Sequence, residues 1–92
     1  MPPPRRSKPR SPDHAALAGA VERVMAQAGM TQEQLAERSG LNVKQINALV
    51  RGQANPTYEN ILKICRGLEV SSGVLMSLVD ELRERPPRRQ RR

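Results

Sequence analysis

The side chains best suited to chemistry in this sequence are polar residues on one short predicted helix. Lys44, Gln45 and Asn47 follow Asn42 in the chain, and helical spacing places Lys44 and Asn47 on the face opposite Ile46. Lysine can donate to the O6 and N7 atoms of guanine, and glutamine or asparagine can pair with adenine. Small apolar side chains on the same face can contact a thymine methyl group. These residue types favour reading of base edges in a DNA major groove, and the predicted base-reading residues are Val43, Lys44, Gln45, Asn47 and Ala48.

Two short helices joined by a tight turn must position this face. Thr31 can cap the first helix, with Gln34 reaching back in a capping box. Gly40 suits the left-handed conformation that commonly ends a helix. Asn42 can then cap the second helix, which Gly52 ends. Two helices bent across a turn that contains glycine are typical of a helix-turn-helix, which projects its second helix into a major groove.

Apolar residues at helical spacing predict three further helices. The triplet 11–13 (Ser-Pro-Asp) can begin a helix that runs from about 12 to 28. Thr57 can cap a fourth helix, with Gly67 near its end, and Ser71 or Ser72 opens a fifth. The pattern therefore predicts an all-α domain of five helices over residues 11–84.

A set of apolar, glycine and Asn-Pro positions resembles the Cro/phage-repressor (Xre-like) helix-turn-helix family. The match covers about Leu17 to Leu82. Its residues are Leu35, Ala36, Gly40, Ile46, Leu49, Gly52, Asn55, Pro56, Thr57, Ile61, Leu62, Ile64, Leu68 and Val70. The resemblance implies a five-helix, lambda-repressor-like fold, DNA binding and usually a homodimer.

The family pattern also implies which residues contact phosphate. By this analogy they are Gln32, Asn42, Arg51 and Gln53, although Arg51 has the simpler alternative of a solvated surface charge. The chain departs from many relatives by carrying Val43, Ala48 and Val50 where polar residues are common. That less polar face leaves room for readout of DNA shape or for contacts from the tails.

Positive charge is concentrated at the two ends of the chain. Residues 1–12 have four basic residues and no acidic one, and residues 83–92 have six basic residues and one acidic one. Residues 13–82 have six basic and eight acidic residues, a net charge of −2. We predict disordered basic segments at 1–10 and 85–92. These segments either follow the DNA backbone or enter a minor groove, or they only increase solubility.

The last predicted helix has more apolar residues than one inward face needs. Val74 and Met76 extend the apolar surface of this helix beyond its core-facing side. Together with Val79 they are the predicted dimer interface. A slightly broad core face is the alternative.

Several residue types have simpler interpretations. Cys65 is predicted to be a small buried hydrophobic residue, His14 an exposed polar residue, and Tyr58 an edge residue rather than a phosphate contact. No nucleophile, base and orienting group occur together, so we expect no enzyme activity, metal or cofactor. No apolar run could span a bilayer. We expect a cytoplasmic, nucleoid-associated protein.

These observations predict a transcriptional regulator, most simply a repressor, that binds double-stranded DNA as a homodimer. The alternative is an antitoxin or adaptor of the same fold, whose main ligand is a partner protein. The two-fold axis of a dimer would separate its reading helices by about 34 to 36 Å, and the half-sites by about ten base pairs.

Overall fold

The computed structural model describes residues 8–84, which form five α-helices. They are α1 Pro12–Ala28, α2 Gln32–Ser39, α3 Val43–Val50, α4 Tyr58–Leu68 and α5 Ser72–Glu84. No strand occurs within this described range. The predicted all-α, five-helix fold is therefore confirmed. The predicted tail at 85–92 and most of the predicted arm at 1–10 lie outside the described residues.

Each helix begins at a side-chain cap that the sequence predicted. The capping oxygen accepts a backbone N–H three residues on, at 2.9–3.2 Å, for Ser11, Thr31, Asn42, Thr57 and Ser71. Such a bond satisfies one of the four N–H groups that have no partner inside the helix. The two helices of the helix-turn-helix are thus defined by local chemistry.

Gly67 lies near the end of α4, as predicted, because the helix ends at Leu68. Glu69, not Gly67, has the left-handed conformation there, with φ 61°. Gly67 lies inside α4, where an added Cβ would be 2.9 Å from Leu35 Cδ1 and 3.1 Å from the backbone nitrogen of Ser39. The glycine therefore serves close packing of α4 against α2.

The core is aliphatic and draws on all five helices. Its fully buried large side chains are Val21, Leu35, Ile46 and Leu75. Cys65 is buried among them, as predicted, and this burial raises the pKa of its thiol. The protonated form is therefore favoured, which makes the thiol a poor nucleophile.

One predicted interface residue belongs to this core. Val79 is only 5% exposed, whereas Val74 is 56% and Met76 41% exposed. Val79 therefore packs mainly in the core and offers a second chain little surface to cover. Among residues 8–84, no helix is long and apolar enough to cross a membrane.

Candidate nucleic-acid interface

The second helix of the helix-turn-helix, α3, has one buried side and one exposed side. Ile46, Leu49 and Val50 are buried against the core. On the other side, Val43 and Lys44 are exposed in the first turn, as the spacing predicted. The buried side of α3 thus packs on the core, and the other side of its first turn is exposed to solvent. A helix that enters a DNA groove needs this arrangement.

A reciprocal capping box constrains Gln45. The N–H of Gln45 donates to Asn42 Oδ1 at 2.9 Å, and the N–H of Asn42 donates to Gln45 Oε1 at 3.0 Å. The amide oxygen of Gln45 is therefore used inside the protein, while its NH₂ group points away from the box. Bidentate pairing with adenine needs both ends of the amide, so it would require this box to open. The Asn-x-x-Gln spacing has the form of a capping box and could have indicated these bonds, although the sequence-based prediction placed a box only at Thr31.

Asn47 is bound at both ends of its amide. Its Nδ2 donates to Gln32 Oε1 at 3.2 Å, and its Oδ1 accepts from Arg51 Nη1 at 3.0 Å. The side chain is half-buried and joins the first turn of α2 to the end of α3. The Asn47–Arg51 spacing of four residues could have indicated one of these bonds. Nothing local in the sequence indicates the bond to Gln32.

The predicted phosphate contacts fall into two groups. Gln32, Asn42 and Arg51 lie at the ends of α2 and α3. Gln53 lies in the loop between α3 and α4, where its Nε2 donates to the backbone carbonyl of Lys8. Gln53 therefore holds the N-terminal segment in this structure, and its side-chain donor is already engaged.

Some cations away from α3 lie within 4.0 Å of an acidic side chain, namely Arg23, Arg38 and Arg83. Arg83 Nε contacts Asp13 Oδ1 at 2.6 Å and joins α5 to α1. Arg38, in the last turn of α2, lies 3.8 Å from Glu69, the residue that follows α4. Lys44, in contrast, is exposed in the first turn of α3.

Ala48 lies half-buried beside a shallow groove of about 350 Å³ between α3 and α4. Apolar side chains, including those of Leu49 and Ile64, form much of its floor, and Lys44 lies on its edge. An apolar floor next to the exposed side of α3 suits contact with a methyl group or a sugar better than a hydrogen bond.

The two exposed apolar residues of α5 lie on different sides of that helix. Val74 borders a groove with Val24, Val70 and Leu78, whereas Met76 borders another with Leu17 and other residues of α1 and α4. Their spacing of two residues separates them by about 200° around a helix with 3.6 residues per turn. The sequence-based prediction grouped them into one interface, but a flat partner surface could cover only one side.

Among residues 8–84, no group of three or more His, Cys, Asp or Glu side chains is arranged to hold a metal ion.

Comparison with known proteins gives consistent matches for this arrangement. A helix-turn-helix family model matches residues 21–75. The HTH-type transcriptional regulator y4dJ of Sinorhizobium fredii, itself uncharacterized, is 34% identical over 59 residues, which cover 64% of this chain and 77% of that protein.

Solved structures of the restriction-modification controller protein C.Esp1396I share the fold. The wild-type protein has a TM-score of 0.75 at 29% identity and covers 79% of this chain and 96% of its own. Its tetramer in complex with a natural operator of 35 base pairs has a TM-score of 0.76 at 28% identity, covering 80% of this chain and 97% of that one. A further structure contains C.Esp1396I bound to a DNA duplex of 19 base pairs. It has a TM-score of 0.74 at 29% identity and covers 78% of this chain and 96% of that one.

Proposed function

Because this chain belongs to the Xre/Cro-type helix-turn-helix family, we propose that it binds a specific site on double-stranded DNA and regulates transcription there. The observation that carries the proposal is the first turn of α3, with Lys44 exposed above a buried Ile46. The operator complex of C.Esp1396I supports the same use of the fold. The proposed activity is binding without a catalytic step, at the chromosome within the cytoplasm.

Within this proposal, Lys44 is the principal base-reading residue. Its ammonium group donates to guanine O6 or N7, while Val43 and Ala48 contact thymine methyl groups. Gln45 donates through its NH₂ group and keeps its capping box. Asn47 acts as a positioning residue, because its amide holds Arg51 and Gln32.

Phosphate contacts then come from the ends of the two helices. Gln32 lies at the beginning of α2 and Asn42 at the beginning of α3, where the backbone N–H groups and the helix dipole favour an anion. Arg51 lies at the opposite end of α3, on the side where a phosphate strand flanks the groove. These contacts position the protein, and the side chains of the first turn of α3 read the sequence.

The test begins with selection of bound duplexes from a random pool. We expect enrichment of a site, and we expect Lys44→Ala to weaken binding to that site by about tenfold or more, since one bidentate contact contributes about 1–3 kcal/mol. Arg66→Ala is the matched control, because Arg66 is an exposed cation at the far end of α4. If both variants lose the same affinity for the selected and the random duplexes, Lys44 does not read the base sequence. If no duplex is enriched, the DNA-binding proposal fails, and the antitoxin or adaptor alternative becomes the better one.

We further propose that the protein acts as a homodimer through α5 and represses transcription by occupying its site. Val74 is more than half exposed and continues the apolar groove between α1 and α5. A second copy on this face would cover it. A dimer bound to two half-sites would exclude other proteins from the duplex between them.

Sedimentation equilibrium with two charge variants tests the dimer face. We expect the wild-type chain to dimerise and Val74→Glu to be monomeric, while Met76→Glu, on the other side of α5, still dimerises. If Met76→Glu is monomeric and Val74→Glu still dimerises, the interface lies at the groove beside Met76. A wild-type chain that is monomeric both alone and on its duplex would contradict the dimer proposal.

A further inference from the structure

The N-terminal segment Lys8–Arg10 lies against the loop between α3 and α4. We call these three residues the arm root. The N–H of Arg10 donates to the carbonyl of Gly52 at 2.9 Å, and Gln53 Nε2 donates to the carbonyl of Lys8. These two bonds fix the backbone on both sides of Pro9. The predicted disorder of residues 1–10 therefore does not extend to these residues.

Steric fit reinforces this attachment. Gly52 is buried with φ 72°, and a Cβ at that position would be 2.7 Å from Pro9 Cβ. That distance is well below an ordinary carbon–carbon contact of about 3.5 to 4.0 Å. Glycine at position 52 thus serves two purposes. It allows the left-handed turn after α3, and it leaves room for Pro9.

The beginning of α1 is tied to the same loop. His14 Nε2 lies 2.7 Å from Asn55 Oδ1, and His14 Nδ1 lies 2.6 Å from Ser11 Oγ. Because a carbonyl oxygen only accepts, His14 Nε2 is the donor in its contact with Asn55. The sequence prediction of a solvated histidine missed this role. Residues 8–14 and 52–55 therefore form one connected unit next to the end of the reading helix.

The charges of the arm root lie where the duplex backbone would pass. The side chains of Lys8 and Arg10 are exposed, while their backbone is held. Arg10 Nη1 also donates to the carbonyl of Gln53 at 3.4 Å, which keeps the guanidinium beside this loop. An eight-residue helix such as α3 spans about 12 Å at about 1.5 Å per residue, which is close to the width of a major groove. If the first turn of α3 lies in the groove, the end at Arg51 and Gly52 is near the flanking phosphate strand.

From this geometry, and resting on the proposed function, we propose that the arm root is a second DNA contact, in which Lys8 and Arg10 bind phosphates beside the groove that α3 enters. The folded part from 13 to 82 has a net charge of −2, so attraction to the backbone depends on local placement of cations. The arm root supplies two of them at a fixed place. Gln53 then acts as its anchor and not as a phosphate ligand.

The salt dependence of binding measures this contact directly. The double variant Lys8→Ala/Arg10→Ala should reduce the slope of log K against log salt by about 0.9 for each phosphate that is no longer neutralised, and so by up to about 1.8 for two. The double variant Lys63→Ala/Arg66→Ala removes the same charge from α4 and should change the slope much less. Preference for the selected duplex over random duplex should be the same in the arm-root variant and the wild type.

A second pair of variants tests the anchoring without removing charge. Gly52→Ala should displace Pro9 and make the salt dependence of binding shallower. In the Lys8→Ala/Arg10→Ala background it should have little further effect on that dependence. Gly29→Ala is the control, because Gly29 has a similar φ of 65° but no atom near the added Cβ. If Gly52→Ala fails to fold by circular dichroism, Gln53→Ala removes the anchor of Lys8 more mildly and should lower the slope in the same way.

The outcomes separate this inference from the proposed function. Suppose that the wild-type chain selects a duplex, that Lys44→Ala weakens binding to it, and that the arm-root and α4 variants have the same slope of log K against log salt. The arm-root contact is then overturned, while the proposed DNA regulation stands. Additive effects of Gly52→Ala and Lys8→Ala/Arg10→Ala would also overturn it. If the wild-type chain binds no duplex at all, both proposals fall.

Discussion

Gly67 shows how a single residue sets the distance between two helices. Its backbone is ordinary helix, yet α2 lies so close that no Cβ fits between Gly67 and the Leu35 and Ser39 side chains. Glycine inside a helix is unfavourable by roughly 1 kcal/mol relative to alanine. The close packing of α2 on α4 must therefore offset that cost.

We expect Gly67→Ala to lower the free energy of unfolding by about 1–3 kcal/mol, because the added methyl group overpacks the contact with α2. Chemical denaturation followed by circular dichroism measures the change. Gly73→Ala is the matched control: it lies in the first turn of α5, and the nearest atom to its Cβ is Ser71 Oγ at 3.9 Å. That variant should be unchanged or more stable by up to about 1 kcal/mol. A neutral Gly67→Ala would show that α2 and α4 can separate without cost.

At the scale of one element, α3 is a short helix whose reading face depends on its first turn. Eight residues are too few to form a stable helix alone. Packing of Ile46 and Leu49 holds it from below, and the capping box between Asn42 and Gln45 holds its beginning. Since the proposed base contacts come from that first turn, stability and recognition are coupled there.

Asn42→Ala should therefore affect both stability and DNA binding. Loss of an N-cap lowers the free energy of unfolding by about 0.5–2 kcal/mol, and a frayed first turn would misplace Lys44. Thr57→Ala removes the equivalent cap of α4, where Thr57 Oγ1 accepts from the N–H of Asn60 at 3.1 Å. We expect similar losses in thermal denaturation for the two variants, but a loss of specific duplex affinity only for Asn42→Ala. If both lose affinity equally, general destabilisation explains the result.

At the scale of the whole molecule, charge is distributed unevenly along the chain. The folded part is slightly acidic overall, while the ends carry the surplus of basic residues. Non-specific attraction to a duplex comes from cations that release counterions from phosphates. We therefore expect affinity to depend on the ends and specificity to depend on α3.

Deletion of residues 85–92, which contain five arginines and no acidic residue, should lower the salt slope of duplex binding and leave the preferred sequence unchanged. A chain of full length with those arginines changed to serine should behave like the deletion, because charge rather than length carries the effect. Binding isotherms at several salt concentrations measure both. An unchanged slope would show that this end of the chain does not contact phosphate.

The local features of this protein could be predicted from the sequence. Helix starts at Ser11, Thr31, Asn42 and Thr57, the break at Gly40 and the exposed side of α3 each depend on residues a few positions apart. Capping bonds and helical periodicity act over one or two turns, so the residue order alone determines them. The family could also be recognised, because it is defined by the same spacing.

The remaining features depend on how the helices cross. The bond from Asn47 to Gln32, the approach of Gly67 to Ser39 and the contact of Pro9 with Gly52 each join residues from different elements. The same holds for Val79, which faces inward because α5 packs on α1 with that side. Interhelical distances and rotations arise from the packing of the entire core. Only the tertiary structure could therefore show which polar groups are engaged inside the protein and which remain exposed for a duplex.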